Sequence, residues 1–276
     1  MSDVTSLDEQ EYVLGTDDAE LQRLGFQHQV WAEQTTRLWQ RAGFAPGQAL
    51  LDLGCGPGYA TADLAQLVGE AGSVLAVDVS RRFLTSLERL VGARRLHNVR
   101  WLEQDATALD LPAGRLHGAF ARWVLCFTPQ PERVVAGVHR ALAPGARFAI
   151  FEYANYEALT IAPPSEAVDR VIAATGRSVR EAGGDFGVGR VLPRLLVDAG
   201  FEIEHVESFV RVTRPGEALW SWPSTFFANY LPVLRSRGLI TDAEQEAFLE
   251  AWRARSADPA AYLVTPTIVG IVARKR

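Results

Sequence analysis

Residues 50–58, with the sequence LLDLGCGPG, decide the fold of this chain. A short apolar run interrupted by one acid, Asp52, leads directly into three glycines at alternate positions, and a helical pattern over residues 59–68 follows. Glycines at such a junction permit a tight turn and let a ligand approach bare backbone at the start of a helix. The stretch therefore predicts a strand, a glycine loop and a helix, in that order.

The same alternation continues along the chain. Six further segments have the apolar character of strands, and these are residues 73–78, 99–103, 118–124, 147–153, 202–212 and 262–273. Strands separated by helices indicate a parallel sheet with right-handed crossovers. We therefore predict an α/β protein with a Rossmann-like, doubly wound, mostly parallel sheet of seven strands and helical lid insertions.

We expect one domain over residues 1–276, with a cofactor-binding core at residues 45–153. Three segments outside this core are predicted to form lids that bind the substrate, and these are residues 1–44, 154–190 and 215–261. Two others are predicted to complete the sheet, and these are residues 191–214 and 262–276.

Charge and composition exclude several classes of function. The 33 acidic and 28 basic residues give a net charge of −5, which repels a phosphate backbone, so we expect no nucleic-acid partner. Lys275 is the one lysine, which argues against Schiff-base chemistry. Cys55 and Cys126 lie in separate stretches, and no Cys/His spacing suggests a metal site.

The chain shows neither a secretory leader nor a membrane-spanning segment by sequence. Residues 1–12 carry four acids and no basic region before an apolar run, and no stretch reaches the roughly 18 apolar residues that a span needs. We therefore expect a cytoplasmic protein with no membrane partner. The oligomeric state cannot be predicted.

An acidic residue at the end of the second strand pairs with the glycine loop. Asp78 follows Gly58 by twenty residues, the spacing at which a carboxylate at the neighbouring strand tip accepts hydrogen bonds from ribose hydroxyls. The loop reads G-x-G-x-G instead of the dinucleotide pattern G-x-G-x-x-G, and Asp52 can meet an ammonium group. Residues 103–107 offer polar groups for an adenine edge. Together these features favour an aminoacyl nucleoside as ligand.

At this point the sequence resembles the class I S-adenosylmethionine-dependent methyltransferases, in its residues 52–58, its Asp78 and its Asp105-Ala106. The resemblance spans about residues 49–153. Within the family, the sequence is most like bacterial members that methylate small molecules. It implies S-adenosylmethionine as cofactor, with the glycine loop around the methionine tail, Asp78 on the ribose and Val79 on the adenine. The expected cofactor contacts are Tyr12, Gln27, Asp52, Gly54, Cys55, Gly56, Gly58, Asp78, Val79, Asp105, Ala106 and Arg122.

Methyl transfer is an in-line displacement that chiefly requires alignment of acceptor and methyl group. A general base is needed only when the acceptor keeps its proton. His28 in the first lid is the candidate base, and the alternative is that it is structural or exposed. The side chains expected to line the acceptor site are Tyr153, Tyr156, Trp222, Phe226, Phe227 and Tyr230. The alternative for these aromatic rings is packing in a satellite core.

We therefore predict an enzyme that methylates O, N or C of a small, partly aromatic or apolar molecule whose identity the sequence does not reveal. The first alternative is a fold relative that binds the cofactor without methylating, such as a cyclase, because the motifs mark binding only. A nicotinamide-dependent oxidoreductase fits less well, because the loop lacks the third glycine position and contains Asp52. Macromolecular acceptors are disfavoured by the acidic charge.

Overall fold

The computed structural model describes residues 18–276. In these residues nine α-helices form, namely α1 (Asp18–Val30), α2 (Ala32–Arg41), α3 (Tyr59–Val68), α4 (Arg81–Arg94), α5 (Pro131–Ala141), α6 (Glu166–Glu181), α7 (Leu192–Asp198), α8 (Ala218–Ser236) and α9 (Asp242–Ala257). The strands of the same region are β1 (Ala49–Leu53), β2 (Ser73–Asp78), β3 (Val99–Glu103), β4 (Leu116–Arg122), β5 (Leu142–Asn155), β6 (Thr160–Ala162), β7 (Phe201–Phe209), β8 (Val212–Thr213), β9 (Tyr262–Val264) and β10 (Thr267–Lys275).

Seven strands form the main sheet, in the order β3-β2-β1-β4-β5-β10-β7. The pairs among β1 to β5 are parallel, and β10 runs antiparallel to both of its neighbours, β5 and β7. Strand β1 is central and buried, and the order reverses between β1 and β4. The predicted α/β class and the mostly parallel, seven-stranded sheet are confirmed. The reversal places a crevice at the carboxyl ends of β1 and β4, where open α/β sheets bind ligands.

The last predicted strand is two strands in the structure. Strand β9 ends at Val264, and β10 begins at Thr267 after Pro266, which lacks a backbone N–H for the ladder. Strand β9 pairs with β6 and β8 in a second, antiparallel sheet of three short strands that the sequence analysis did not predict. Two- and three-residue strands carry too little periodicity to be recognised in sequence.

The helices outside the central region pack on one another beside the crevice. Helix α1 contacts α8, and α6 contacts α9. Trp31, Leu38 and Trp39 are buried and join the hydrophobic core beneath the sheet. From residue 18 onward, no helix combines the length and the apolar character required to cross a bilayer.

Candidate functional site

A cavity of about 590 Å³ opens at the carboxyl ends of β1, β2 and β4, next to α1 and α8. Its lining is chemically divided. The segments that follow β1, β2 and β3 contribute glycine backbone and carboxylates, and we call this part the polar side. The end of β5, the turn after β4 and helix α8 contribute mostly aromatic rings, and we call this part the aromatic side.

The glycine loop has a backbone that only glycine adopts readily. Gly54, Gly56 and Gly58 have positive φ angles of 63°, 53° and 90°. A Cβ atom on Gly54 would lie 2.3 Å from Val124 Cγ2, and one on Gly58 would lie 2.2 Å from Leu87 Cδ1. A Cβ atom on Gly56 would have no atom of residues 18–276 within 4 Å apart from its own chain neighbours. Gly54 and Gly58 therefore permit close packing, whereas Gly56 presents bare backbone to the cavity.

Asp78 is fixed at the mouth of this loop. Its Oδ2 accepts the backbone N–H of Gly56 at 2.8 Å, and its Oδ1 accepts that of Ser80 at 2.9 Å. Burial raises the pKa of Asp78 above its usual value, although these N–H donors favour the charged form. The carboxylate therefore links the glycine loop to the end of β2 and faces the cavity.

Asp52 is a buried acid that also lines the cavity. Its Oδ2 accepts a 2.6 Å hydrogen bond from Thr61 Oγ1. Burial raises the pKa of Asp52 to about 6, while Thr61 and the charge of Arg122 favour the ionised form. Burial lowers the pKa of Arg122 to about 10. A positively charged ligand group beside Asp52 would shift it fully to the carboxylate.

His28 is engaged at both ring nitrogens. Arg122 Nη2 lies 3.1 Å from Nδ1, and Asp63 Oδ2 lies 2.9 Å from Nε2. Because arginine can only donate, Nδ1 accepts and Nε2 carries the proton that it donates to Asp63. His28 is mostly buried and is not among the residues that line the cavity. This geometry favours the structural role that the sequence left open over the predicted role of general base.

The segment after β3 presents the third part of the polar side. Gln104 donates its backbone N–H to the carbonyl of Asp78 at 2.9 Å, and its side-chain Oε1 is buried with no hydrogen-bond partner in the described chain. Asp105 Oδ1 accepts the N–H of Thr107 at 2.7 Å, and Ala106 lines the cavity beside it. The apolar side chain of Val79 is 38% exposed at this edge. An apolar surface beside acceptor oxygens fits a nucleobase with an amino edge.

Four of the predicted acceptor residues lie together on the aromatic side, namely Tyr153, Tyr156, Trp222 and Phe226. Trp123, which the sequence analysis did not single out, stacks on the ring of Tyr153 with a centroid distance of 5.6 Å and on that of Trp222 at 6.0 Å. The ring of Tyr156 packs against that of Phe186 with a centroid distance of 4.6 Å. Phe186 was not predicted from the sequence either.

Phe227 and Tyr230 are placed elsewhere, so their assignment to the acceptor site is corrected. Phe227 packs against Phe248 with a centroid distance of 4.9 Å, and Tyr230 Oη lies 2.7 Å from Ser178 Oγ. Neither lines the cavity. Consecutive helix positions are rotated by about 100°, so Phe226 faces the cavity while Phe227 faces α9. For these two rings the satellite-core alternative holds.

The first helix brings a buried charged group to the cavity. Arg23 pairs with Glu20 through two hydrogen bonds of 2.6 Å, and both residues are buried. Gln27 Oε1 accepts from Arg23 at 3.0 Å and from Trp222 Nε1 at 2.9 Å. Gln27 therefore ties α1 to α8 at the cavity wall. Tyr12, the other predicted contact of this region, lies outside the described residues.

Glu152 is a buried group that sequence reasoning missed. It is fully buried in β5, where its neighbours from Phe148 to Phe151 are apolar, and its pKa is raised to about 7 by burial. The sequence could have indicated this residue, because a single acid within an apolar strand is uncommon and suggests a buried carboxylate with a specific role. Cys55 lines the cavity beside the loop, and burial raises the pKa of its thiol well above the usual value, which disfavours the nucleophilic thiolate.

The chain is similar to known methyltransferases. Residues 50–145 match the family described as "Methyltransferase domain". The ubiquinone/menaquinone biosynthesis C-methyltransferase UbiE of Citrobacter koseri is 31% identical over 48% of this chain and 54% of its own length. The crystal structure of a protein described as a methyltransferase, from Bacillus halodurans, superposes with a TM-score of 0.61 at 17% identity, covering 87% of this chain and 97% of that one. The [4+2]-cyclase SpnF superposes with a TM-score of 0.56 at 20% identity, covering 88% and 80%.

The chain spans about half the length of the first curated relatives it matches. The structural likenesses, all at low identity, establish the fold. Together with the glycine loop, Asp78 and the strand order, the matches show a methyltransferase domain of the class I, S-adenosylmethionine-dependent type over residues 50–145.

Proposed function

We propose that this protein transfers a methyl group from S-adenosylmethionine to a small apolar or aromatic acceptor. The observation that carries the proposal is the division of one cavity into a polar side of glycine backbone and carboxylates and an aromatic side. Such a cavity accommodates a charged nucleoside cofactor and an apolar molecule next to each other.

The residues of the polar side fit the cofactor. Gly56 offers open backbone to the methionine tail, and Asp52 would meet its ammonium group. Asp78 would accept from the ribose, while Val79 and Gln104 would receive the adenine. When bound, S-adenosylmethionine supplies a methyl group on a positively charged sulfur.

The residues of the aromatic side orient the acceptor and exclude water. Trp123, Tyr153 and Trp222 form a continuous apolar wall, which favours flat or apolar molecules. Burial raises the pKa values of Tyr153 and Tyr156 above the usual range. Both phenols therefore keep their protons at neutral pH and cannot act as general bases. Among the described residues of this side we find no general base. The proposal therefore favours an acceptor atom that is nucleophilic without first losing a proton to the protein, such as a phenolate oxygen, an enolate-type carbon or a neutral amine.

The second candidate function is catalysis without methyl transfer. It is supported by the fold likeness to the cyclase SpnF, since a shared cofactor-binding core does not define the reaction.

Location in the cytoplasm is also part of the proposal. It is supported by Cys55 and Cys126, which are both unpaired and buried.

The test is an assay with methyl-labelled S-adenosylmethionine and a panel of phenols, quinols, isoprenoids, aliphatic alcohols and amines. We expect label in a phenolic, quinolic or other apolar acceptor and none in the aliphatic alcohols. Phe226→Ala, which opens the aromatic side, should reduce the rate, whereas Phe227→Leu, at the position of α8 that packs against α9, should retain it. Cofactor binding with no labelled product from any acceptor would favour the non-methylating alternative.

A further inference from the structure

A short turn after β4 stands between the two sides of the cavity, and we call residues 123–127 the Trp123 turn. On the aromatic side, Trp123 stacks on Trp222. Val124 packs against the glycine loop so closely that a Cβ on Gly54 would be 2.3 Å from Val124 Cγ2. The position of this turn therefore sets the distance between the acceptor wall and the glycine loop.

The backbone of the turn is not in a relaxed conformation. Trp123 has a φ of +52°, a left-handed value that is unfavourable for a bulky side chain. Such residues persist only where their surroundings fix them. One fixing contact is the hydrogen bond from the Trp123 N–H to the carbonyl of Phe151, at 3.0 Å.

Glu152 supplies the other fixing contacts. Its Oε1 accepts the backbone N–H groups of Val124 and Leu125 at 2.7 Å each and that of Cys126 at 3.4 Å. Hydrogen bonds to an ionised acceptor are about twice as strong as those between neutral groups. The carboxylate therefore holds three successive amides of the Trp123 turn, and it does so more strongly when it is charged.

The second oxygen of this carboxylate has no such role. Glu152 Oε2 is buried and accepts no backbone hydrogen bond in the described residues, and the nearby thiol of Cys126 is the side chain that favours its charged form. A buried acid with only one oxygen held by backbone hydrogen bonds lowers the stability of the fold. A residue with such a cost is a candidate for a functional role. Burial raises the pKa of Glu152 to about 7, and the titratable groups that interact with it are Cys126 and Tyr153. Burial raises the pKa of both of these as well, so they remain neutral where Glu152 titrates.

We propose that Glu152 is a positioning residue for methyl transfer, whose ionised carboxylate fixes the Trp123 turn and so aligns the acceptor wall with the cofactor loop. This inference rests on the proposed function. Glu152 does not line the cavity, so it acts through the turn and not by contact with a ligand.

The kinetic test uses Glu152→Gln, which keeps the shape and one acceptor oxygen but removes the charge. We expect kcat to fall roughly tenfold or more, since small misplacements of reacting groups have effects of up to about a hundredfold. The dissociation constant of S-adenosylmethionine should stay within about twofold of that of the wild type. The rise of kcat from pH 6 to pH 8 in the wild type should disappear in the variant. Glu132→Gln, an exposed acid at the start of α5, is the control and should behave as wild type.

A second measurement does not depend on activity. In ¹⁵N NMR spectra of the wild type, the amides of residues 124–126 should titrate together with a midpoint near pH 7, and in Glu152→Gln they should not. Amides that still titrate in the variant refute the hold of Glu152 on the turn, and amides that do not titrate in the wild type refute a change of charge of Glu152 in this pH range. A wild type that titrates as expected but methylates nothing refutes the proposed function instead. The wild-type titration requires no variant, so a misfolded variant does not remove the test.

Discussion

Asp78 accepts one backbone hydrogen bond on each carboxylate oxygen, from Gly56 and from Ser80. In Asp78→Asn the amide can accept on one side only, and its NH₂ group faces a backbone N–H on the other. We predict that the dissociation constant of S-adenosylmethionine rises at least tenfold, because hydrogen bonds to a charged group contribute about 1.5–3 kcal/mol. Calorimetry measures this, and Asp110→Asn, an exposed acid, is the control. Equal affinities of the two variants would refute the role of Asp78.

The raised pKa of Asp52, about 6, predicts a pH dependence of cofactor binding. Below this pKa the folded protein carries a proton on Asp52, and a bound ammonium group favours its release. Affinity should therefore decrease roughly tenfold between pH 7 and pH 5. Calorimetry at pH 5.5 in two buffers with different ionisation heats should detect the released proton. Asp52→Asn should bind weakly, with no pH dependence in this window; a slope that survives in the variant contradicts the assignment.

The raised pKa of Asp52 also makes the free energy of unfolding depend on pH, in a direction that can be predicted. The folded pKa of Asp52 lies above the ordinary 3.8, so the folded state holds its proton to higher pH than the unfolded state does. The contribution of this group to the free energy of unfolding is therefore present below about pH 4 and is lost as the pH rises through 6. Cofactor binding reverses the preference by favouring the ionised form.

At the scale of the element, helix α1 is attached to the core through His28. Its Nε2 donates to Asp63 of α3 at 2.9 Å, and its Nδ1 accepts from Arg122 at the end of β4. A second attachment, between Asp18 and Arg82, joins the start of α1 to α4 at a distance of 3.1 Å but is highly exposed.

We predict that these two attachments differ in strength. A double-mutant cycle with His28→Gln and Asp63→Asn should give a coupling free energy of about 1–2 kcal/mol in urea unfolding. The matched cycle with Asp18→Asn and Arg82→Gln should give less than about 0.5 kcal/mol, because exposed ion pairs contribute little. Equal coupling in the two cycles contradicts a buried anchor at His28. If His28 were a general base instead, His28→Gln would lower the rate of methyl transfer without lowering the free energy of unfolding.

How far the sequence predicts each element depends on the length of its pattern. Strands β1 to β4 were found within a few residues, because each is a continuous apolar run next to turn residues. Strand β5 runs from Leu142 to Asn155, beyond the predicted 147–153 at both ends, and it includes Pro144 and Gly145, which in sequence are typical of turns. The division of the last segment at Pro266 depends on pairing with β6 and β8, which is tertiary information.

The same limit applies to the site. The polar side could be predicted because its residues are consecutive and follow strands, as with Asp78 and Gly56. The aromatic side could be predicted only in part. Which ring of α8 faces the cavity depends on how the helix is rotated against α1 and α9, and in the structure Phe226 lines the cavity whereas Phe227 packs against α9. The link from Glu152 to the Trp123 turn joins strand β5 to the turn after β4, and no sequence spacing indicates it.

At the scale of the whole molecule, one sheet supplies both parts of the cavity. Strands β1 to β3 carry the residues that fit a nucleoside cofactor, and β4 and β5 with α8 carry the aromatic wall. The reversal of strand order between β1 and β4 brings the two parts together. In the proposed function, a methyl donor and an apolar acceptor would lie side by side in this cavity, with the Trp123 turn between them.

The most direct test of this account is calorimetry of the purified protein with S-adenosylmethionine, S-adenosylhomocysteine and NAD in parallel. We predict binding of both adenosyl ligands with dissociation constants on the order of micromolar, and no binding of NAD. Binding of NAD alone would contradict the account, because it would mean that the glycine loop and Asp78 hold a dinucleotide.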